Sequence, residues 1–488
     1  MAPQRRIAII GAGFAGIGLA IRLKRAGVRS FVVYERARRL GGVWRDNVYP
    51  GAACDIPSHL YSFSFERNYP WTRRYAPQSE ILAYLEHCAR KHGVFDHIEF
   101  DADIASATFS ESEGVWKLAA RSASLPDADV LVSAVGQFNK PVAADIPGAR
   151  TFRGAQFHSA AWDRSFSPDG KAVAVIGAGA SSIQIVPELA RTASSVRVFQ
   201  RSAPYVFPKP DIAYSAAQKK SFARFPFLRT LDRLRTYAAY EMRIPARASQ
   251  SKIAGNEDAF RAILTSQIAR SDLLEAVTPD HPWGCKRVLL SNDWYPTLSR
   301  PNVSVVADRI DRIDPGGVVT DRGDSYPVDA IIHATGFAPA RYLEDIEIVG
   351  LNGASLRDAW RNGAEAYLGL TTSGFPNFFM MFGPNTNIPG SVLFMLESQM
   401  RYIAGCIGMI ERKNALYIDV RRSVQDAFNE RLHKKLDETI WSSAKCRSWF
   451  KLDSGKITTQ WPGFLMAYRL KTWRPRAGDF RICPRRLR

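Results

Sequence analysis

Cysteine and histidine are scarce in this chain. Its 488 residues hold six cysteines and eight histidines. Cys54, Cys88, Cys285, Cys406, Cys446 and Cys483 form no C-x-x-C pair and no zinc-like cluster. That excludes a dithiol redox motif, offers no metal site, and predicts a reduced, cytoplasmic chain. Long apolar runs are missing too. None reaches the roughly 18 uninterrupted apolar residues of a membrane span, so no transmembrane segment is expected. Glycines at 11, 13, 16 and 18 break the apolar run near the start, which suits a strand, turn and helix better than a signal peptide. No low-complexity region stands out. Acid is in deficit: 66 Lys and Arg face 47 Asp and Glu, a net charge of +19. The bases are dispersed, with clusters only at Arg36–Arg39 and in the terminal CPRRLR. That pattern suits a basic surface with sites for anionic small molecules rather than a nucleic-acid partner. No feature of the sequence specifies an oligomeric state.

What is present is a motif written twice. IAIIGAGFAGIGLAIRLKRAGVRSFVVYE runs from Ile7 to Glu35. An apolar strand leads into GAGFAG, in which Phe14 and Ala15 stand between Gly11, Gly13 and Gly16. A helix and a second strand follow, and that strand ends in Glu35 and Arg36. In a G-x-G-x-x-G turn the first glycine makes the bend and the second admits a pyrophosphate. The third lets helix pack on strand, and the helix N-terminus holds the phosphates. A carboxylate at the end of the second strand suits free ribose hydroxyls. The second copy, VAVIGAGASSIQIVPELARTASSVRVFQR, spans Val173 to Arg201. Gly177 and Gly179 recur, Ala180 and Ser181 follow, and Ser182 replaces the third glycine. Arg201, followed by Ser202, stands at the offset that Glu35 occupies in the first copy. A base there suits a 2′-phosphate. The two copies therefore predict two dinucleotides, FAD in the first and NADPH in the second.

The expected fold is α/β, with two Rossmann-like dinucleotide-binding domains, one inserted in the other. An FAD-binding domain is expected from residues 1–145 and 332–488, and an NADP-binding domain from 150–330. The segment from about 205 to 283 lacks strand alternation and reads as a helical insertion. LVSAVGQFNKP (131–141) and AIIHATGFAP (330–339) read as strands that run into glycine turns where the domains meet.

Two further stretches carry a resemblance. FRGAQFHSAAWD fits F-x-G-x-x-x-H-x-x-x-W-[P/D] through Phe152, Gly154, His158, Trp162 and Asp163. GGVWRDNVYPGAACD (41–55) fits G-G-x-W-x-x-x-x-Y-P-G-x-x-x-D. Together with the paired nucleotide motifs, they resemble type I Baeyer–Villiger monooxygenases, within the class B flavoprotein monooxygenase family. The resemblance implies that NADPH reduces FAD and that reduced flavin and O2 form a C4a-peroxyflavin. That species inserts one oxygen atom beside the carbonyl of a ketone. It also implies that Arg287 is the catalytic arginine, oriented by Asp55, and that Lys286 joins Arg201 on the 2′-phosphate. Gly42, Val43, Trp44, Tyr61, Ile104, Thr335 and Gly336 become cofactor contacts. Trp449 resembles a tryptophan on a loop over NADP, although Asp-Ser-Gly-Lys stands where the family has Asn-x-Pro-Gly-Lys. The five residues of the FRGAQFHSAAWD signature are expected to form a linker between the domains rather than catalytic groups.

A fixed guanidinium suits this chemistry, because it stabilises an anionic oxidant and keeps its charge at every relevant pH. Three other readings stand beside this one: nitrogen or sulfur oxidation, flavin-dependent disulfide or quinone reduction, and nucleotide binding without catalysis. Phe394 and Met395, in the stretch 371–403, read as core packing or as substrate contacts.

Overall fold

The computed structural model describes residues 5–247, 250–388 and 390–485. In chain order its two parallel sheets use β1 (Ile7–Ile10), β2 (Phe31–Tyr34), β3 (Ile98–Glu99), β4 (Val130–Ser133), β5 (Ala155–His158), β6 (Ala172–Ile176), β7 (Ser195–Phe199), β8 (Val303–Val306), β9 (Ala330–His333) and β10 (Phe378–Met380). The first sheet has the order β10-β4-β1-β2-β3 and the second β8-β7-β6-β9-β5. All neighbours in both sheets pair in parallel. The α/β class and the repeated dinucleotide fold thus follow the sequence pattern.

Each sheet is covered on both faces, which is why its strands are apolar throughout. In β1, Ile7 and Ile9 join the core shared with helix α1 (Phe14–Arg25), while Ala8 and Ile10 face the opposite core. That opposite core is capped by a smaller sheet of residues 347–349, 104–110, 115–120 and 124–128. The second sheet repeats the plan. Val173 and Val175 of β6 face one core, and Ala174 and Ile176 face another beneath a three-stranded antiparallel sheet. The helix after β6 is α2 (Ser182–Leu189).

β9 straddles the expected boundary at 332 and lies wholly in the second sheet, paired with β6. β5, in the stretch expected to be a linker, also lies there, at the edge beside β9. The helical insertion is closed at its base by a short parallel pair, Val206–Phe207 with Leu289–Leu290. Within it, α3 (Phe227–Met242) is the helix nearest the first sheet's core, through Tyr237 and Tyr240. Helices α4 (Val392–Arg412) and α5 (Leu465–Lys471) complete that core. Among the described residues, no helix is long and apolar enough to cross a membrane, and no cluster suits a metal ion.

Candidate active site

β1 and β6 both end at glycine turns that open on one cavity of about 2580 Å³. Gly11 has φ +106° and Gly177 φ +115°. A Cβ at Gly11 would stand 2.7 Å from the carbonyl oxygen of Ala134, and one at Gly177 2.5 Å from that of Ala334. A Cβ at Gly16 would collide with the Gly11 carbonyl oxygen, so glycine there lets α1 seat on its strand. At Gly13 a Cβ would meet only Gly42, at 3.7 Å, and at Gly179 nothing within 4 Å. The middle glycines therefore present bare backbone to the cavity, a cradle fit for pyrophosphate. Ser182 stands behind the second turn, fully buried.

The acid and the base at the strand ends have different surroundings. Glu35 accepts hydrogen bonds from the N–H of Ala12 at 2.8 Å and of Ala37 at 3.0 Å. Arg45 joins it at 2.7 Å. Burial works against the Arg45 charge, yet its bonds to Asp46 and Glu35 outweigh burial and hold its pKa up. Arg45 escaped the sequence reading because it sits in an unassigned position of the second signature. Arg36 lies exposed, 3.4 Å from the carbonyl of Asn139. Across the cavity, Lys286 donates to the hydroxyl of Ser202. Burial lowers the Lys286 pKa, Asp280 opposes that shift and Arg201 adds to it. Among the described residues neither cation has an ion-pair partner within 4 Å. Two adjacent cations that no ion pair engages suit a phosphate.

Between the cradles stands the Arg287–Asp55 ion pair. Asp55, ahead of burial, dominates the Arg287 environment and raises its pKa. The guanidinium side chain remains 47% accessible and lines the cavity. Around it lie neutral groups. Burial raises the Cys54 thiol to about 12 and pushes the Tyr61 phenol well up. Tyr61 accepts from the indole N–H of Trp44 at 3.0 Å and stands edge-on to Phe14 at 5.4 Å between ring centroids. Tyr240 of α3 donates to the Asp55 carbonyl at 3.4 Å, a contact no sequence motif announces. The signature at 41–55 also meets the second unit. Tyr49 hydrogen-bonds Gln184 at 3.1 Å, and the Gln184 side chain donates to Ala53 at 3.0 Å. Gly51, at φ +78°, packs so close to the Gln184 carbonyl that a Cβ would stand 2.5 Å from it.

The cavity is lined by Gly11, Gly13, Phe14, Ala15, Glu35, Arg36, Gly42, Val43, Trp44, Asp55, Tyr61, Ile104, Gly177, Gly179, Ala180, Ser181, Arg201, Ser202, Lys286, Arg287, Thr335, Gly336 and Trp449. Of the candidate cofactor residues only Gly16 and Ser182 stand behind it, as packing positions. Trp449 is 38% exposed, with its ring 5.7 Å from that of Phe138. Phe394 and Met395 are buried and do not line the cavity, which favours packing.

The FRGAQFHSAAWD signature lies outside the cavity. Gly154 is required because a Cβ would strike the Asp329 carbonyl and the Phe152 ring, which blocks entry of β5 beside β9. His158 sits opposite His333 and accepts at Nδ1 from the Ala160 N–H at 3.0 Å. Burial lowers its pKa, with His333 adding to the shift. Trp162 packs edge-on against Phe157 at 5.0 Å, and Asp163 caps a turn through the N–H of Ser165 at 2.9 Å. The signature thus stands on an edge strand of the second sheet and the turn that follows it. A strand only four residues long carries too little alternation to reveal itself.

The expected wholly reduced chain is corrected. Cys285 and Cys446 form a disulfide, with Cα atoms 5.3 Å apart. Their separation of 161 residues left no spacing signal. The bond joins the residue before Lys286 to the loop that carries Trp449. Trp441 of the same loop donates to the Gly284 carbonyl at 3.0 Å.

Comparison with known proteins agrees with this architecture. The profile of the pyridine nucleotide-disulphide oxidoreductases matches residues 8–226. A Baeyer–Villiger monooxygenase of Pseudomonas aeruginosa is 40% identical over 471 residues, covering 96% of this chain and 89% of that protein. One from Streptomyces coelicolor is 38% identical, covering 98% and 92%. Among solved structures, oxidized steroid monooxygenase bound to NADP superposes with a TM-score of 0.89 at 29% identity, covering 99% of this chain and 100% of that one. Cyclohexanone monooxygenase from Rhodococcus sp. Phi1 bound to NADP+ gives 0.89 at 26% identity, with the same coverage. With relatives this similar along nearly its whole length, the chain belongs to the Baeyer–Villiger monooxygenases, a family of flavin-dependent oxidoreductases.

Proposed function

We propose that the protein oxidises ketones to esters or lactones, using NADPH, FAD and O2. The observation that carries this reading is the Arg287–Asp55 pair between two dinucleotide cradles. In this reading the first cradle, with Gly11, Gly13 and Glu35, holds FAD. The second, with Gly177, Gly179, Arg201 and Lys286, holds NADPH. The FAD-binding unit then comprises residues 1–145 and those after β9, and the NADP-binding unit runs from about 150 through β9.

When bound, the flavin supplies the oxygen chemistry. The chain supplies the electrostatics. Arg287 places a permanent positive charge where negative charge develops on oxygen, both on the oxidant and on the attacked carbonyl. Asp55 holds the guanidinium in place and balances its charge at the cavity wall. Cys54 and Tyr61, kept neutral by burial, add no competing negative charge there. Arg201 and Lys286 grip the 2′-phosphate, which selects NADPH over NADH. Trp449 closes the cavity over the nicotinamide side and excludes water. Nitrogen or sulfur oxidation depends less on Arg287, because there the oxygen reacts as an electrophile.

The test is a panel of linear, cyclic, aromatic and steroid-like ketones with sulfides alongside. The FAD-loaded enzyme, supplied with NADPH and O2, is assayed with products weighed by mass spectrometry. Esters or lactones one oxygen heavier are expected. Oxidation of sulfides alone, with every ketone untouched, would overturn the ketone assignment.

A further inference from the structure

Helix α3 is built inside out. Arg229 and Arg233 are 7% and 8% exposed, while Phe227 is 63%, Leu234 57% and Met242 73% exposed. Leu231 joins the same outward face at 39%. Positions 227, 231, 234 and 242 repeat at helical spacing, so they form one stripe. The inward arginines are fixed: Arg233 donates to the carbonyls of His59, Leu60 and Ser62 at 3.0, 3.2 and 2.7 Å. The helix therefore cannot roll to hide its apolar face.

A second exposed apolar group lies on and just after α5. Glu241, at the end of α3, accepts from the N–H groups of Leu465 and Met466 at 3.0 and 2.9 Å, which docks the two helices. Met466, Leu470 and Trp473 then expose 44%, 66% and 47% at the same helical spacing. Exposed apolar side chains gathered on two docked helices mark an interaction surface. Its charge is of one sign. Arg224, Arg235, Lys471 and Arg474 are exposed on or beside these two helices. The two acids of α3 are engaged: Asp232 pairs with His59, and Glu241 holds α5. No acid occurs between residues 464 and 476.

We propose that this apolar face docks the enzyme on an anionic lipid bilayer surface, from which it draws lipophilic ketones. An apolar stripe of large side chains flanked by Lys and Arg is the pattern of a helix lying in the membrane interface. A second copy fits less well, because two identical basic rims would repel within a chain already at +19. The placement also serves the site. The opposite side of α3, through Thr236, Ala239 and Tyr240, lines the cavity, and Tyr240 reaches the Asp55 carbonyl. One helix, about 10 Å thick, separates that face from the reaction chamber. The ketone identity of the substrate rests on the proposed function; the docking surface does not.

The test uses the FAD-loaded protein and its Leu234→Glu/Leu470→Glu variant. Both are sedimented with phosphatidylcholine vesicles and with mixed phosphatidylcholine–phosphatidylglycerol vesicles. The parent should sediment with the anionic vesicles, and the variant should bind them about tenfold or more weakly. Added salt should weaken the parent's binding. Flavin retention and an unchanged thermal midpoint certify the variant's fold. Turnover of a water-soluble ketone should be unaffected, while that of a long-chain ketone dissolved in the anionic vesicles should fall about tenfold. Failure of the parent to bind anionic vesicles overturns the proposal, whether light scattering then finds a monomer or a dimer abolished by the same substitutions. Vesicle binding without oxidation of any ketone would instead sink the ketone reading and leave the docking surface standing.

Discussion

In the proposed role, Arg287 acts through a charge that no accessible pH removes. Its contribution is therefore tested by removing the side chain. Arg287→Ala should lower kcat for ketone oxidation about 100- to 1000-fold, roughly 2.7–4 kcal/mol. NADPH consumption should continue in that variant, with hydrogen peroxide released in place of ester. Arg287→Lys keeps a charge but loses the rigid fork that meets Asp55, so its rate should fall between the two. Ketone oxidation at the parent rate by Arg287→Ala would exclude the assigned role. Arg201 and Lys286 are the proposed residue-scale determinants of the nucleotide. Arg201→Ala should weaken NADPH use through KM, with NADH unchanged. One lost charge-assisted bond is worth about 2 kcal/mol, or roughly thirtyfold in kcat/KM. An equal loss with NADH would remove the 2′-phosphate from the account.

At the scale of elements, the sequence was readable where structure is local. The two strand–turn–helix units lie within about thirty residues each, and their glycines have steric duties that the pattern already states. Asp55 and Arg287 became legible only through family resemblance, since no local rule joins positions so far apart. The disulfide was illegible for the same reason, with its cysteines 161 residues apart. Helix α3 shows a further limit. Its helical periodicity is plain, yet its arginines face inward because backbone carbonyls around His59 receive them, and those lie far off in sequence. The loop carrying Trp449 is held to Cys285 by that disulfide, which closes a very long chain loop. Such a cross-link stabilises by roughly 2–4 kcal/mol. Cys446→Ser should accordingly lower the thermal midpoint, and dithiothreitol should lower the parent's midpoint without further effect on the variant. A parent whose melting ignores dithiothreitol would show that the thiols are not joined in solution.

On the scale of the molecule, the two sheets meet along the cavity, and the chain crosses between them twice. Those crossings are paired with each other: Val142 donates to the Gly336 carbonyl at 3.0 Å and Ala338 to that of Lys140 at 2.9 Å. Phe138 and Phe337 stand edge-on at 5.9 Å beside them. The Cys285–Cys446 bond and the Arg287–Asp55 pair also join the two units. The loop carrying Trp449 belongs to the first unit, because Asn385 and Asn387 donate to Thr458 and Thr459 at 2.8 and 2.9 Å. The cations Arg201 and Lys286 belong to the second. An NADP+ molecule held by both would therefore add to those ties and stabilise the whole chain. At a concentration one hundred times its Kd, a ligand that binds only the folded state contributes about 2.7 kcal/mol. For a chain of this size, that raises the thermal midpoint by about 3 °C. We expect this shift in the FAD-loaded parent on adding NADP+, together with protection of the loop around residue 449 from proteolysis. Trp449→Ala should keep most of the midpoint shift, since the cations remain, but lose the protection. A loop cleaved equally fast with and without NADP+ in the parent would mean that Trp449 takes no part in closing the site.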